Sequence, residues 1–268
     1  MAKSELKHSA QRAALEGKPI EFMGLKLWAI TMENYEEWMQ CRNVWMARQS
    51  KFPVSCISMP FLEALFTLDM DSIKQTGKPA GLLYDVMHAL GMALGMGRDC
   101  VKRKDIRIWV DEEEKQFRGI LAKKPDGEWS EITPGNFDFI RKIVLWMNGE
   151  EPPDESENDE LLDAERELAQ RAGHKLKYSL MDLEASVALA YRQRIRDVMG
   201  WSILEFEVSR RAIQRDKRHM ICGIGETNGC KWEHGNPCPS WCYDREAEGS
   251  GALIAQSEFG KAKAKKKE

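Results

Sequence analysis

The sequence predicts a mainly α-helical (α+β) protein with one small antiparallel β-hairpin or sheet and a cysteine-bearing loop near the C-terminal end. Three observations carry this. Apolar residues recur at spacings of three and four along most of the 268 residues, the pattern of helices with one buried stripe. Between Asp105 and Ile132 the period changes to two, the alternation of a half-buried strand. Between Cys222 and Cys242 the apolar period stops, and Cys222, Cys230, Cys238 and Cys242 take its place.

In chain order, residues 1–18 read as a flexible or loosely helical arm, polar and rich in Lys and Arg. An N-terminal α+β domain follows over 19–149. Ile20, Phe22, Leu25 and Leu27 alternate around Gly24, a short strand or hairpin. Tyr35, Trp38, Arg42 and Trp45 share one helical face. Ser58-Met59-Pro60 opens a helix with Pro in its first turn and Leu62, Leu65 and Phe66 inward. Leu83, Val86, Met87, Leu90 and Leu94 mark the most apolar helix, the centre of this half. Its glycines, Gly91, Gly95 and Gly97, match no phosphate loop and are read as close-packing positions. His88 is a core or boundary residue. The alternating segment follows, with a Pro125-Asp126-Gly127 turn; Glu112 to Glu114 lie at a solvated turn, not in a catalytic cleft. Asn136 caps a helix carrying Phe137, Ile140, Val144 and Met147, which ends at Asn148-Gly149.

Residues 150–160 form an acidic linker with Pro152-Pro153, too poor in apolar groups to make a core. A helical region with the cysteine loop covers 161–246. Leu161, Ala164, Leu168 and Ala172 mark a first helix. Ser179 caps a second, which Gly200 ends. Ser202 to Glu205 is a capping box for a third, 202–221, with Ile203, Phe206, Ile213 and Met220 inward and Arg210, Arg211, Arg215, Lys217 and Arg218 mostly outward. Residues 247–268 are expected to be a disordered basic tail.

Composition narrows the function. The net charge of −3 gives no global attraction to nucleic acid, and no apolar run approaches a membrane span. No secretory signal pattern opens the chain, so the seven cysteines are expected in a reducing cytoplasm. No Rossmann, Walker, Gly-x-Ser-x-Gly or His-Glu-x-x-His pattern is present, so no enzyme is predicted and no catalytic residue is named. No cofactor is required either, but Cys222, Cys230, Cys238 and Cys242, with His219 and His234 nearby, have the ligand chemistry of a structural zinc site. Their spacing lacks the usual Cys-x2-Cys, and Trp232, Pro237, Pro239 and Trp241 offer packing instead, so zinc ligands and idle thiols both stand. A metal-stabilised nucleic-acid-binding protein, using the basic helix and this loop on phosphates, is the alternative reading.

Three stretches carry a family resemblance: Asn148-Gly149 followed by Pro152, Asp154 and Glu155; Trp201 to Phe206 opening a basic helix; and Gly235-Asn236-Pro237 to Trp241. Over roughly Ile20 to Arg245 the chain resembles the tail assembly chaperones of long-tailed phages and prophages of Gram-positive bacteria, encoded between the major tail protein and the tape measure protein. The resemblance implies a protein of the host-cell cytoplasm, absent from the mature virion. It would keep the apolar, helical tape measure protein soluble during tail morphogenesis and hand it to the major tail protein, and it would be compatible with an oligomer. Trp201, Phe206, Arg210 and Arg211 are then the candidate partner-binding residues. Fourteen methionines suit an adaptable apolar surface. Such chaperones often have a frameshifted longer form, for which the lysines Lys265 to Lys267 would supply the slippery codons.

The two readings of the cysteine loop separate by elemental analysis of protein purified without chelator. A closed structural site retains its metal. Less than about half an equivalent of zinc or iron assigns the cysteines as idle thiols.

Overall fold

A computed structural model of the protein describes residues 3–111, 113, 116–124, 127–155, 179–230 and 238. It is mainly α-helical, with a three-stranded antiparallel sheet and a separate two-stranded hairpin. The chain divides into two compact units, 1–207 and 208–268.

The first unit begins with α1 (Lys3–Leu15), which packs against α6 (Pro134–Met147). The expected flexible arm is therefore a packed helix. Its small side chains Ala10 and Ala14 are fully buried, which lets two backbones approach closely; periodicity of large apolar residues missed it because only Leu6, half-buried, joins them. Strands β1 (Ile20–Phe22) and β2 (Leu25–Leu27) form the hairpin, with Ile20 opposite Leu27. The two-residue turn needs positive φ at both positions; Met23 adopts 51° and Gly24 75°. The hairpin continues into Trp28, whose N–H donates to Ala93 O at 2.6 Å.

Helices α2 (Tyr35–Trp45), α4 (Phe61–Thr76), α5 (Leu82–Ala93) and α6 enclose the core, with the one-turn α3 (Val54–Ile57) before α4. Trp38, Trp45, Phe61, Leu62, Leu65, Leu83, Val86, Leu90, Phe137, Ile140 and Val144 are buried, as their spacing requires. Phe137 stacks on Phe61, with centroids 6.3 Å apart, and Trp45 tilts against Phe137 at 5.5 Å. Gly91 is a close-packing position: a Cβ there would lie 2.1 Å from Cys100 Sγ. His88 is half-buried, 3.8 Å from Cys41 Sγ and tilted against Tyr84. Strands β3 (Ile106–Val110), β4 (Phe117–Lys123) and β5 (Trp129–Ile132) are joined in sequence order, with a bulge at Trp109/Val110. Ile106, Ile120, Ala122 and Ile132 form their buried face.

Polar side chains satisfy the helix ends across long stretches of chain. Asp69, on α4, accepts the N–H groups of Gly81 and Leu82 at 2.9 and 3.2 Å and of Leu83 at 2.9 Å, capping α5 from outside. Asn148 accepts the Ile30 N–H at 3.0 Å and donates to Val144 O at 2.7 Å. Thr133, not Asn136, is the residue before α6, and Pro134 takes its first position. Arg141 is buried with its guanidinium 3.7 Å from the Phe61 ring centroid. It donates to Trp45 O at 2.7 Å and Ala47 O at 2.6 Å. Burial pulls its pKa down to about 10, so it remains charged at neutral pH.

The sequence predicts one helix from Ser179 to Gly200; the structure has two, α7 (Leu180–Tyr191) and α8 (Ile195–Met199). Arg192 turns left-handed at φ 54°, and Asp197 then accepts the Arg194 N–H at 3.3 Å to start the second. The last helix, α9 (Ile203–Thr227), starts as read, with Ser202 Oγ accepting the Glu205 N–H at 3.0 Å, and runs past residue 221. Its length divides between the two units. The expected helix around Leu161–Ala172, residues 156–160 of the linker, Pro125 and Asp126 of the turn, Glu112, Glu114 and the 247–268 tail lie outside the described residues.

Replacing Arg141 by Met keeps the stem but strands one buried carbonyl, Trp45 O, and one part-buried, Ala47 O. We expect a loss of about 1–3 kcal/mol, the cost of the one fully buried unsatisfied group, measured by urea denaturation.

Candidate functional site

The residues singled out in the sequence do not converge on one site. Phe206 is 1% exposed, a core side chain of the first unit. Trp201 is half-buried and edge-on to Tyr191, with centroids 5.3 Å apart. Its carbonyl accepts the Met32 N–H at 2.9 Å, and the Ile203 N–H donates to Ile30 O at 3.0 Å. This clasp, with the Thr31–Ser202 bridge, binds the start of α9 to the chain after the hairpin. In the second unit Arg210 is half-buried and Arg211 exposed. Met220, read as inward, is exposed together with Ile221 (67%) and Ile224. These three fall on neighbouring positions of one helical face. The helix ends in Asn228-Gly229, and on this last stretch the apolar period does not lead to burial except at Cys222.

Cys222 is buried at the end of α9, Cys230 is exposed and Cys238 half-buried. Burial first, then the adjacent Cys238 thiol, raises the Cys222 thiol above its ordinary value. The Cys230 N–H closes the helix end on Gly225 O at 2.9 Å, and His219 Nδ1 lies 3.0 Å from Cys238 O. Among the described residues no group of three His, Cys, Asp or Glu is placed to hold a metal ion. Cys242 lies outside the described residues.

Sequence reading missed the cavities of the first unit. One, about 890 Å³, has a basic wall of Arg42, Arg48, Arg141 and Lys142 facing Glu151 to Glu155. This part of the expected acidic linker is tied down. Glu150 takes Arg42 in a forked pair, with Nη2 at 2.8 Å; Glu151 pairs with Lys7; and the Glu155 carboxylate accepts the Gln49 and Ser50 N–H groups at 3.0 and 3.1 Å. A second groove, about 660 Å³, sets the part-exposed Trp28 among Lys26, Arg103, Lys123 and Lys124, with Asp105 paired to Arg103 at 2.7 Å.

A third, about 280 Å³, lies between α2, α7 and α8 and is lined by Met32, Glu33, Glu36, Glu37, Arg98, Leu180, Met181, Glu184 and Met199. Glu184 is 6% exposed, and its Oε1 has no hydrogen-bond partner. Burial first, then the charge of Glu36, raises the Glu184 carboxyl above its usual range. Arg98 is committed elsewhere: to Glu37 at 2.9 Å, Asn34 Oδ1 at 2.8 Å and Glu33 O.

Large apolar side chains stand out on α7. Met181 is 71% and Leu189 81% exposed, on one helical face, and Tyr191 and Ile195 continue the exposed set. No described helix is long and apolar enough to cross a membrane. No protein-family model matches the chain, and comparison with curated proteins and with solved structures finds no match.

Phe206 is enclosed at the foot of α9, so truncation leaves a cavity. Phe206→Ala is expected to cost about 3–5 kcal/mol by thermal or urea denaturation. An unchanged melting temperature would mean that this side chain is free in solution to meet a partner.

Proposed function

We propose that this protein is a non-enzymatic assembly chaperone for an apolar, helical client, acting in the cytoplasm of the host cell. The sequence resemblance supplies the client's identity, a tape measure protein, and the recipient, a major tail protein. One observation supports the reading most: Met181 and Leu189 on α7, and Met220, Ile221 and Ile224 on α9, hold large apolar side chains in solvent on helical surfaces. Each set, taken by itself, suits a helical client laid along it, since helix-in-groove contacts use apolar anchors on one helical face. Met adds an adaptable surface that tolerates more than one client register. Trp201 in the first unit, and Arg210 and Arg211 in the second, are the further candidates for contact within each unit.

A second reading, single-stranded nucleic-acid binding, is favoured by the Trp28 groove, where an indole for base stacking sits among Lys26, Lys123 and Lys124. Binding of that kind falls steeply with salt, whereas capture of an apolar client does not.

Co-expression with a tape measure protein, the long helical client that the resemblance implies, tests the chaperone. The client should be recovered soluble with the full chain and aggregate without it. Leu189→Asp and Ile221→Asp should lower the soluble yield at least about tenfold, as interface centres do when a charge replaces an apolar anchor. Their circular dichroism should not change. Equal client solubility with and without this protein would end the reading.

A further inference from the structure

The cavity between α2, α7 and α8 holds a buried carboxylate, of which one oxygen, Glu184 Oε1, has no hydrogen-bond partner among the described residues. Glu184 is on α7, Glu33 precedes α2, and Glu36 and Glu37 lie in its first turn. Four carboxylates thus surround a space of about 280 Å³, and the arginine at its rim, Arg98, is held by Glu37, Asn34 and the Glu33 carbonyl. A charged group withdrawn from water needs a partner or must stay neutral. Glu184 Oε1 has neither a donor nor solvent.

The remaining wall selects among partners. Met32, Leu180, Met181 and Met199 present thioether and methyl groups. Calcium or magnesium asks for six or more oxygen ligands, and no group of three His, Cys, Asp or Glu able to hold a metal ion exists among the described residues. A long aliphatic stem ending in a cation satisfies both halves: the stem lies along the methionines and the head reaches the carboxylates. Charge-assisted hydrogen bonds from such a head are the strong kind, more so in a half-enclosed site.

We propose that this pocket is a docking site for a lysine or arginine side chain of a polypeptide partner, with Glu184 as the acceptor at its base and Glu36 at its entrance. Glu33 and Glu37 add to the attraction, and Met181, exposed at the lip, closes over the stem. The site stands apart from the chaperone reading: a client could use the apolar helices without it, and this pocket could serve another basic partner.

The test uses the full chain and a labelled, helix-forming peptide of Lys-Ala-Ala-Ala-Ala repeats, beside the same peptide with norleucine in place of lysine. The lysine peptide is expected to bind in a Glu184-dependent way, whereas any binding of the norleucine peptide to the exposed apolar helices is expected to be the same in Glu184→Gln as in the wild type. Glu184→Gln, which keeps the shape and removes the charge, should weaken binding at least about tenfold with unchanged circular dichroism, because a buried ion pair contributes far more than an exposed one. Glu36→Gln, on the exposed side of the pocket, should weaken it by a smaller factor and serves as a second arm should Glu184→Gln fold poorly. Glu21→Gln removes the same net charge from the hairpin and should leave binding as it was. Equal affinity for the wild type and both pocket variants overturns the proposal. So does a loss that Glu21→Gln reproduces, which would be a net-charge effect only, or an equal loss of norleucine-peptide binding in Glu184→Gln, which would make the lysine head irrelevant. A divalent ion bound in a Glu184-dependent way, with no response to the lysine peptide, would overturn it too and assign the pocket to a metal instead.

Discussion

The Arg141 guanidinium is the group on which the first unit depends. It lies at the C-terminal end of α2, where a helix leaves carbonyls without partners and carries negative partial charge. By bonding Trp45 O and Ala47 O it completes that helix, and by lying on the Phe61 ring it joins the start of α4 to α6. These two hydrogen bonds run to carbonyl oxygens rather than to a carboxylate, so peptide dipoles and an aromatic face stabilise the buried charge. Phe61 in turn stacks on Phe137, which meets Trp45. One side chain therefore holds three helices and the aromatic centre in register. Asp69 and Asn148 solve the same problem elsewhere, at the start of α5 and the end of α6.

The segment after α6 shows how composition and structure part. Glu150 to Glu155 has the make-up of a solvated spacer, yet each of Glu150, Glu151 and Glu155 meets a donor of the first unit. Exposed pairs of this sort contribute little individually. Together, and with Pro152-Pro153 limiting the backbone, they fix the path by which the chain leaves α6 and cover the basic wall below. The acidic stretch and the cations it faces neutralise one another locally, which is why the nearly balanced net charge hides strongly charged surfaces.

Methionine divides the same way. Met32, Met87, Met92 and Met147 fill the core, where a flexible thioether closes irregular gaps. Met181 and Met220 stand in solvent on helices whose other faces are buried. The count alone is therefore no measure of a binding surface; the exposed subset, beside Leu189, Ile221 and Ile224, is the part that the proposed client would meet. The Glu184 pocket combines both kinds, with buried Met32 behind and exposed Met181 at the lip.

From the sequence alone, the class of fold was readable because burial imposes a period. The stripes through Trp38, Leu65, Leu90 and Val144 became helices, the alternation from Ile106 to Ile132 became a sheet, and the Gly24 turn became a hairpin. Period also identified Phe206 as an inward position. It did not reveal α1, whose buried residues are alanines, nor the break at Arg192, where a non-glycine turns left-handed without a punctuating residue. Least of all did it reveal Arg141, Asp69 or Glu184, which are charged residues that the rule for charge places outside. Period states which face of an element a residue occupies. It says nothing of what lies opposite, and the partners of Arg141 are 96 and 94 residues away in the chain. Only the tertiary packing brings such groups together, and only there does it become apparent that Arg141 is satisfied while Glu184 Oε1 is not.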